Sequence, residues 1–512
     1  MKRILFFLAL ATTFLPQAQA RENIRELFKD NSAIIYTLNI RNFGAVDKNN
    51  DGIIDIDDGD IKGTFLNAKD KLKNLSYEGI NTLYLLPITK TGKLKALGTA
   101  GSLYAIDSFD EIAPELDDLS NPKTVYEEAK EFVEEAHKNN LNVILDLPSC
   151  GSYDLSIKKP DWFLKDLNNK NEALIPADWT DVRLFKVYNE DKTLNQENLD
   201  NFKKFIDMAQ NLGFDGIRAD VAAIKPYEFW KELIDYSRKK DKNFLFLAEA
   251  NPEWSNPASN GVSNYSSIDE LLKAGFDSYY GSFSDFKNIK TKKEFDKKIT
   301  QNLEILKRNK NKSIIGAFAT HDQQAPSLRG KNYWNMILWL NTTLPLNSYF
   351  LDGFSYGDDF TYPYENKKAK KTYTDDEFYF VHSGMFDIFN FSAPIRQKHP
   401  EFRKNYLKAL DFKERNSDLI KNGKFSLLKT NNDKVFAYSI INGDRELIVV
   451  GSLDENSSIK TEVTSKYLKK DHVFLSLNAK NIAKTKKNKM TLNLEPLEIQ
   501  VYLISLASLR AM

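Results

Sequence analysis

From Ala33 onward, short apolar runs alternate with amphipathic stretches. The apolar runs are Ala33–Ile40, Thr82–Leu86, Val143–Leu147, Phe214–Ala219, Phe244–Ala248, Gly275–Tyr280, Ile314–Ala319 and Leu346–Leu351. Each is too short for an ordinary helix and reads as a strand buried on both faces. Apolar positions recur with helical period in Lys62–Asn74, Pro122–Lys138, Glu197–Leu212, Tyr227–Lys239, Thr291–Arg308, Leu328–Leu340 and Phe402–Glu414. Eight strands alternating with helices predict an α/β chain folded as a parallel (β/α)8 TIM barrel over residues 21–422. The connection after the third strand, about 149–195, is too long for a βα loop and is expected to form a small inserted subdomain. From Gly423 the period changes to two. Lys424–Lys429, Val435–Ile441, Glu446–Gly451, Val473–Leu477, Met490–Leu494 and Ile499–Ile504 predict an appended antiparallel β-sandwich over 423–512.

The first twenty residues stand outside this pattern. Lys2 and Arg3 precede an apolar stretch, Ile4–Leu15, and a small-x-small site, Ala18-Gln19-Ala20. That is the layout of a signal peptide over 1–20, with the mature chain exported to the periplasm or the extracellular space. No later segment is apolar enough to span a bilayer, so no membrane anchor is expected after cleavage.

Charge and composition then remove several function classes. With 72 Lys+Arg against 71 Asp+Glu, the chain has no basic excess to bind nucleic acid. A single cysteine, Cys150, excludes an intrachain disulfide and any Cys-rich zinc module. The five histidines are scattered and suggest no metal cluster. Oligomeric state is not encoded in any of these features.

The informative feature is where acids fall. Four apolar runs end in a carboxylate: Asp146, Asp220, Glu249 and Asp322. In a parallel barrel the C-terminal strand ends carry the chemistry, so all four are expected to face one cleft. Any one of them alone is an ordinary helix-capping acid. Four together suit glycoside hydrolysis, in which one carboxylate attacks the anomeric carbon and a second protonates the leaving oxygen.

Four motifs at these strand ends make the sequence resemble the α-amylase family of glycoside hydrolases (family 13), over nearly the whole mature chain. They are Asn142–Asp146 with the following Leu-Pro, Gly216-Ile217-Arg218-Ala219-Asp220, Phe246-Leu247-Ala248-Glu249, and Thr320-His321-Asp322. Leu85–Ile88 and Ser102–Ile106 add to the likeness. The resemblance implies that Asp220 is the nucleophile, Glu249 the general acid and then base, and Asp322 the group holding the sugar hydroxyls. It further implies substrate-side roles for Arg218, His321, Tyr104 and Asp146, with Arg218 keeping Asp220 ionised and Tyr104 stacking under the sugar ring. The departures are specific. The first motif normally ends Asn-His, but Cys150 and Gly151 stand there. Ala223-Ile224 replace a Lys-His pair, Thr320 replaces an asparagine, and Ser108 stands where an aspartate usually follows the stacking tyrosine.

Between the first strand and the first helix, Asp47, Asn49, Asp51, Ile53 and Asp55 place oxygen donors at alternate positions around Gly52. Such a loop suits calcium (Ca2+), with Ile53 contributing its carbonyl. The strand before it argues against an EF-hand, and in many family members a loop of this pattern after the first strand binds structural calcium. Lys367–Lys371 and Lys484–Lys489 read as solvated basic loops. Trp162, Trp179 and Trp254 are read as packing residues or sugar platforms, and Cys150 has no partner base that would make it a nucleophile. The expected activity is retaining hydrolysis of α-glucosidic bonds in starch-like glucans or maltooligosaccharides. Transglycosylation at the same site and non-catalytic glycan binding on the same barrel are the alternatives, and the intact Asp220, Glu249 and Asp322 count against the second.

Overall fold

A computed structural model describes residues 21–505 apart from 52–53, 99, 167, 177–178, 256–264, 360–384, 392–398, 466–467, 469–472 and 480. The first ten strands are β1 (Ile34–Leu38), β2 (Thr82–Leu85), β3 (Asn142–Leu147), β4 (Cys150–Ser152), β5 (Val182–Leu184), β6 (Gly216–Ala219), β7 (Leu245–Ala248), β8 (Ser278–Tyr279), β9 (Ser313–Ile314) and β10 (Ser348–Leu351). Eight of them form one parallel sheet in the order β10-β1-β2-β3-β6-β7-β8-β9. A parallel bridge between Ile315 and Asn347 joins its two ends, so the sheet closes as a barrel. β4 and β5 pair antiparallel with each other in the insertion that follows β3.

Strand alternation sorts side chains into two cores. Ile34, Tyr36 and Leu38 face the helices, whereas Ile35, Tyr84, Ile144, Leu245, Leu247 and Tyr349 fill the barrel interior. Helix starts are set by caps. Thr124, Ser267 and Thr291 each form a capping box with a glutamate three residues on, which places the helix over Val125–Lys138 where periodicity predicts Pro122–Lys138. Gly330, at φ 90°, separates a 3-10 turn (Pro326–Arg329) from the helix Lys331–Thr343, so that helix begins three residues after the predicted Leu328. β8 is shorter than its apolar run because Gly275 ends the preceding helix, and the Asp277 carboxylate is taken by Arg25, Arg238 and the Phe246 amide.

After the helices Pro400–Arg415 and Ser417–Asn422 the chain forms two antiparallel sheets. One contains β11 (Lys424–Leu427), β13 (Val435–Asn442), β14 (Arg445–Ser452) and β19 (Ile499–Ser505). The other contains β12 (Lys429–Thr430), β15 (Ile459–Thr464), β16 (Val473–Leu475), β17 (Ile482–Lys486) and β18 (Lys489–Leu494). Their facing side chains, including Val435, Ile448, Val463, Met490 and Leu492, make a separate core, as a sandwich requires. The sandwich seats on the barrel where Phe436 stacks on Phe295 with centroids 4.2 Å apart and Tyr438 hydroxyl meets Thr343 at 2.7 Å.

Two strands differ from the sequence expectation. β15 is absent from the predicted set, and part of Lys484–Lys489, read as a solvated loop, is β17 followed by a turn at Lys487-Asn488 with φ 50° and 67°. In β17 alanine and threonine occupy the inward positions beside exposed lysines, and in β15 Thr461 stands between inward Ile459 and Val463, so alternation holds while the apolar signal is diluted. Residues 1–20 and Lys367–Lys371 lie outside the described residues.

Candidate active site

Asp146 on β3 and Arg218 on β6 are register partners, which turns both side chains into the barrel. Gly216 starts β6 because a Cβ there would lie 2.6 Å from the Leu245 carbonyl oxygen on β7. Arg218 is 1 % exposed and is the hub of the site. Its Nη1 donates to Asp146 Oδ1 at 2.8 Å and to Asp220 Oδ1 at 3.0 Å, and its Nη2 lies 2.9 Å from Glu249 Oε2. One guanidinium therefore serves three carboxylates. Asp146 also accepts from Tyr84 at 2.6 Å and Tyr104 at 2.7 Å. With its side chain fully buried and its oxygens occupied, Asp146 lies beneath the site and orients Arg218; it does not form the wall toward substrate.

The two carboxylates above Arg218 have different partners. Asp220 Oδ2 accepts the Ser149 amide at 3.2 Å, while the Ser149 hydroxyl donates to the Asp220 carbonyl. Glu249 Oε2 accepts the Val221 amide at 2.7 Å. Val221 reaches that orientation at φ 39°, a left-handed conformation that a β-branched residue adopts only under constraint. Burial pushes the Glu249 carboxyl up to about 8; Arg218 opposes this shift and Asp220 adds to it. Burial also raises Asp220, against the pull of Arg218 and the Ser149 amide. Burial outweighs the pull of Arg218, so the Asp220 carboxyl lies above the ordinary carboxylate range. Glu249 is the group kept protonated near neutrality.

Tyr104 and His321 close one side. Their rings stack with centroids 5.7 Å apart and an interplanar angle of 4°, and Tyr104 hydroxyl lies 2.7 Å from His321 Nε2. Tyr104 has one proton and gives it to Asp146, so hydrogen bonding assigns the His321 proton to Nε2. Burial and Arg218 push His321 down to about 3, which keeps the ring neutral. Asp322 lies 3.4 Å from His321 Nε2, and its side chain is 53 % exposed at the mouth of the barrel. Thr320 Oγ1 accepts the Asp322 amide at 3.3 Å, so the threonine that replaces asparagine supports this turn. The structure thus brings Asp220, Glu249, Arg218, His321, Tyr104, Asp146 and Asp322 together at one end of the barrel.

A closed eight-stranded barrel, an insertion after its third strand, a C-terminal sandwich and acids at the ends of β3, β6 and β7 together settle the fold. It is the fold of the α-amylase family of glycoside hydrolases. Among solved structures, the maltogenic α-amylase AmyB from Thermotoga neapolitana superposes with a TM-score of 0.66 at 19 % identity, covering 93 % of this chain and 99 % of that one. In sequence, an alpha-1,4-glucan:maltose-1-phosphate maltosyltransferase of Bifidobacterium animalis subsp. lactis is 26 % identical over 219 residues, 37 % of this chain and 27 % of that protein. The alpha-amylase MalA of Haloarcula japonica is 26 % identical over 194 residues, 36 % of this chain and 26 % of that protein. The match thus spans about a quarter of the length of these curated relatives. No protein-family model matches the chain.

Within the amylase fold, the missing histidine of the first motif has a steric basis. A Cβ at Gly151 would lie 2.7 Å from the rings of both Phe163 and Phe185, so histidine has no room there. Cys150 is buried, and burial pushes its thiol well above the usual range, which leaves it unreactive. Trp162 packs on the barrel core and Trp179 on a small cluster with Val182 and Leu184, whereas the Trp254 side chain lies outside the described residues.

In the 47–55 loop the donor set is all oxygen, as a hard cation requires. Asp47 accepts the Asn50 amide at 2.7 Å, and Asn49 and Asp51 bond each other. Asp60, outside the predicted set and buried, ties the loop by accepting the Lys48 and Asp55 amides at 2.8 and 3.0 Å. Among the described residues no three acids or histidines converge as a ready-made metal cluster, and Ile53 lies outside them. Among them, too, no helix is long and apolar enough to cross a membrane.

Ser149, Val221, Tyr84 and Lys225 were not singled out from sequence. Tyr84 left a signal: it is a polar tyrosine at an inward position of an otherwise apolar run. The others act through backbone groups or through a buried contact that no motif encodes.

Proposed function

We propose that the chain is a retaining glycoside hydrolase acting on α-glucosidic bonds of starch-like glucans or maltooligosaccharides. The observation that carries this reading is the single buried Arg218 with Asp220 and Glu249 on its two terminal nitrogens. Sharing one guanidinium favours the short carboxylate separation of a retaining enzyme over the wider gap that admits a water. Asp220 attacks the anomeric carbon; the glycosidic C–O bond breaks and its electron pair goes to the leaving oxygen, which takes the Glu249 proton. Glu249, now a carboxylate, removes a proton from water, whose oxygen attacks the same carbon and releases Asp220. Asp322 at the mouth holds sugar hydroxyls, and neutral His321, its one proton given to Tyr104, adds no charge there.

Transfer to a sugar hydroxyl in place of water is the second reading, favoured by the maltosyltransferases among the relatives. We further propose export, with residues 1–20 as the signal, and a structural calcium on the 47–55 loop that takes no part in the chemistry. The test is product analysis after incubation with soluble starch, maltooligosaccharides and pullulan. Shorter glucans of retained anomeric configuration support hydrolysis, longer ones support transfer, and unchanged substrate throughout overturns both.

A further inference from the structure

We propose that Lys225 is a positioning residue for the nucleophile, acting through Ser149; this rests on the reading of Asp220 as nucleophile. Lys225 follows the β6 turn and is 1 % exposed. Its Nζ donates to the Ser149 carbonyl at 3.2 Å. The same Ser149 gives its amide to Asp220 Oδ2 at 3.2 Å and its hydroxyl to the Asp220 carbonyl. The lysine thus grips the far side of the residue that holds the nucleophile at two points.

Such an ammonium is costly to bury. Among the described residues Ser149 is its one hydrogen-bond acceptor, and no carboxylate forms an ion pair with it. Three aromatic rings also lie near its ammonium, Phe202 at 4.8 Å, Phe229 at 5.9 Å and Trp230 at 6.0 Å. A methionine would pack there without a desolvation cost, so a lysine points to a use for the charge. The charged and titratable groups that face it are Asp220 and the Cys150 thiol. Burial lowers Lys225 to about 8, with Cys150 and Asp220 opposing, so below that pH it is cationic and favours ionised Asp220. Arg218, already divided among three acids, leaves room for this second cation.

The test uses an aryl α-glucoside whose leaving group needs no proton, so that the acidic limb of kcat/KM reports Asp220. The alkaline limb is not diagnostic, because Glu249 and Lys225 titrate together there. Wild-type turnover of this substrate is the first arm, and its absence overturns the glycosidase reading itself. Lys225→Met removes charge and hydrogen bond; Lys225→Gln keeps a donor but no charge. The expected result is an acidic limb moved up by roughly one pH unit in both, a kcat lower by about tenfold, and KM changed by less than about threefold. Lys225→Arg should move the limb part of the way back. Folded Met and Gln variants with an unmoved limb, or with the loss confined to KM, overturn the proposal. Failure of both to fold also overturns it, since the lysine would then serve packing alone.

Discussion

Replacing Glu249 by glutamine removes the proton that the account assigns to the leaving group. The magnitude follows from the environment of the carboxyl. With its value near 8, about nine-tenths of Glu249 is protonated at pH 7, whereas an ordinary glutamate near 4.5 would be protonated only to a few tenths of a per cent. Burial behind β7 therefore raises the acid-competent fraction by roughly 300-fold. The amide keeps the shape and retains an oxygen for the Val221 amide, so the variant should fold. A glucan leaves as an alkoxide unless protonated, and its cleavage should fall by about 10²–10⁴-fold. An aryl α-glucoside with an acidic phenol needs little protonation and should still release a rapid burst of phenol. The alkaline limb expected of the wild type with glucan should shrink in the variant's burst to the part that Lys225 contributes. Stopped-flow release of phenol and chromatography of glucan products measure the two arms. Equal loss on both substrates, burst included, refutes Glu249 as the acid.

Three further outcomes follow from particular residues. If the 47–55 loop binds calcium, chelator should lower the melting temperature and added calcium restore it, by about 2.7 kcal/mol at a hundredfold excess over Kd; Asp51→Ala should respond to neither, and an equal response in both proteins removes the site. Gly151→His should cost about 1–3 kcal/mol of stability, read as a lower melting temperature, because its Cβ meets Phe163 and Phe185; a variant as stable as wild type contradicts the steric account. Lys413, whose Nζ bonds the Leu346 carbonyl at 2.6 Å, is lowered by burial to about 7. As pH falls from about 10.5 to 7 the unfolded chain takes up this proton before the folded one, so the wild type loses stability across that window. Lys413→Met should therefore gain on the wild type by about 2–5 kcal/mol between pH 10 and 7, and a constant difference in melting temperature would count against it.

The barrel was legible because parallel strands buried on both faces read as uninterrupted apolar runs, and each expected strand has a counterpart among β1–β3 and β6–β10. β15 and β17 were not, since Thr461 interrupts the inward Ile459 and Val463 of β15, and Ala483 and Thr485 fill the inward places of β17 between exposed Ile482, Lys484 and Lys486. In the site, strand-end position predicted that Asp146, Asp220, Glu249 and Asp322 would gather. It did not predict their division of labour. Asp146 is roofed over by Tyr84, Tyr104 and Arg218, while Asp322 stays exposed, and neither follows from spacing along the chain. Likewise the motif shows only that Gly151 stands in place of histidine; the rings of Phe163 and Phe185, distant in sequence, show why nothing larger fits.

The central claim is that Asp220 forms a covalent bond to the sugar. A fluorinated α-glucosyl donor with an activated leaving group slows the second step more than the first, so a glycosyl-enzyme should accumulate. Intact-protein mass spectrometry should show the addition of one glycosyl unit, and fragmentation of the peptide containing Gly216–Asp220 should place it on the Asp220 carboxylate, with no adduct in Asp220→Asn. A turnover-competent protein that carries the label on another residue, or that hydrolyses the donor with no adduct and inverted configuration, would contradict the account.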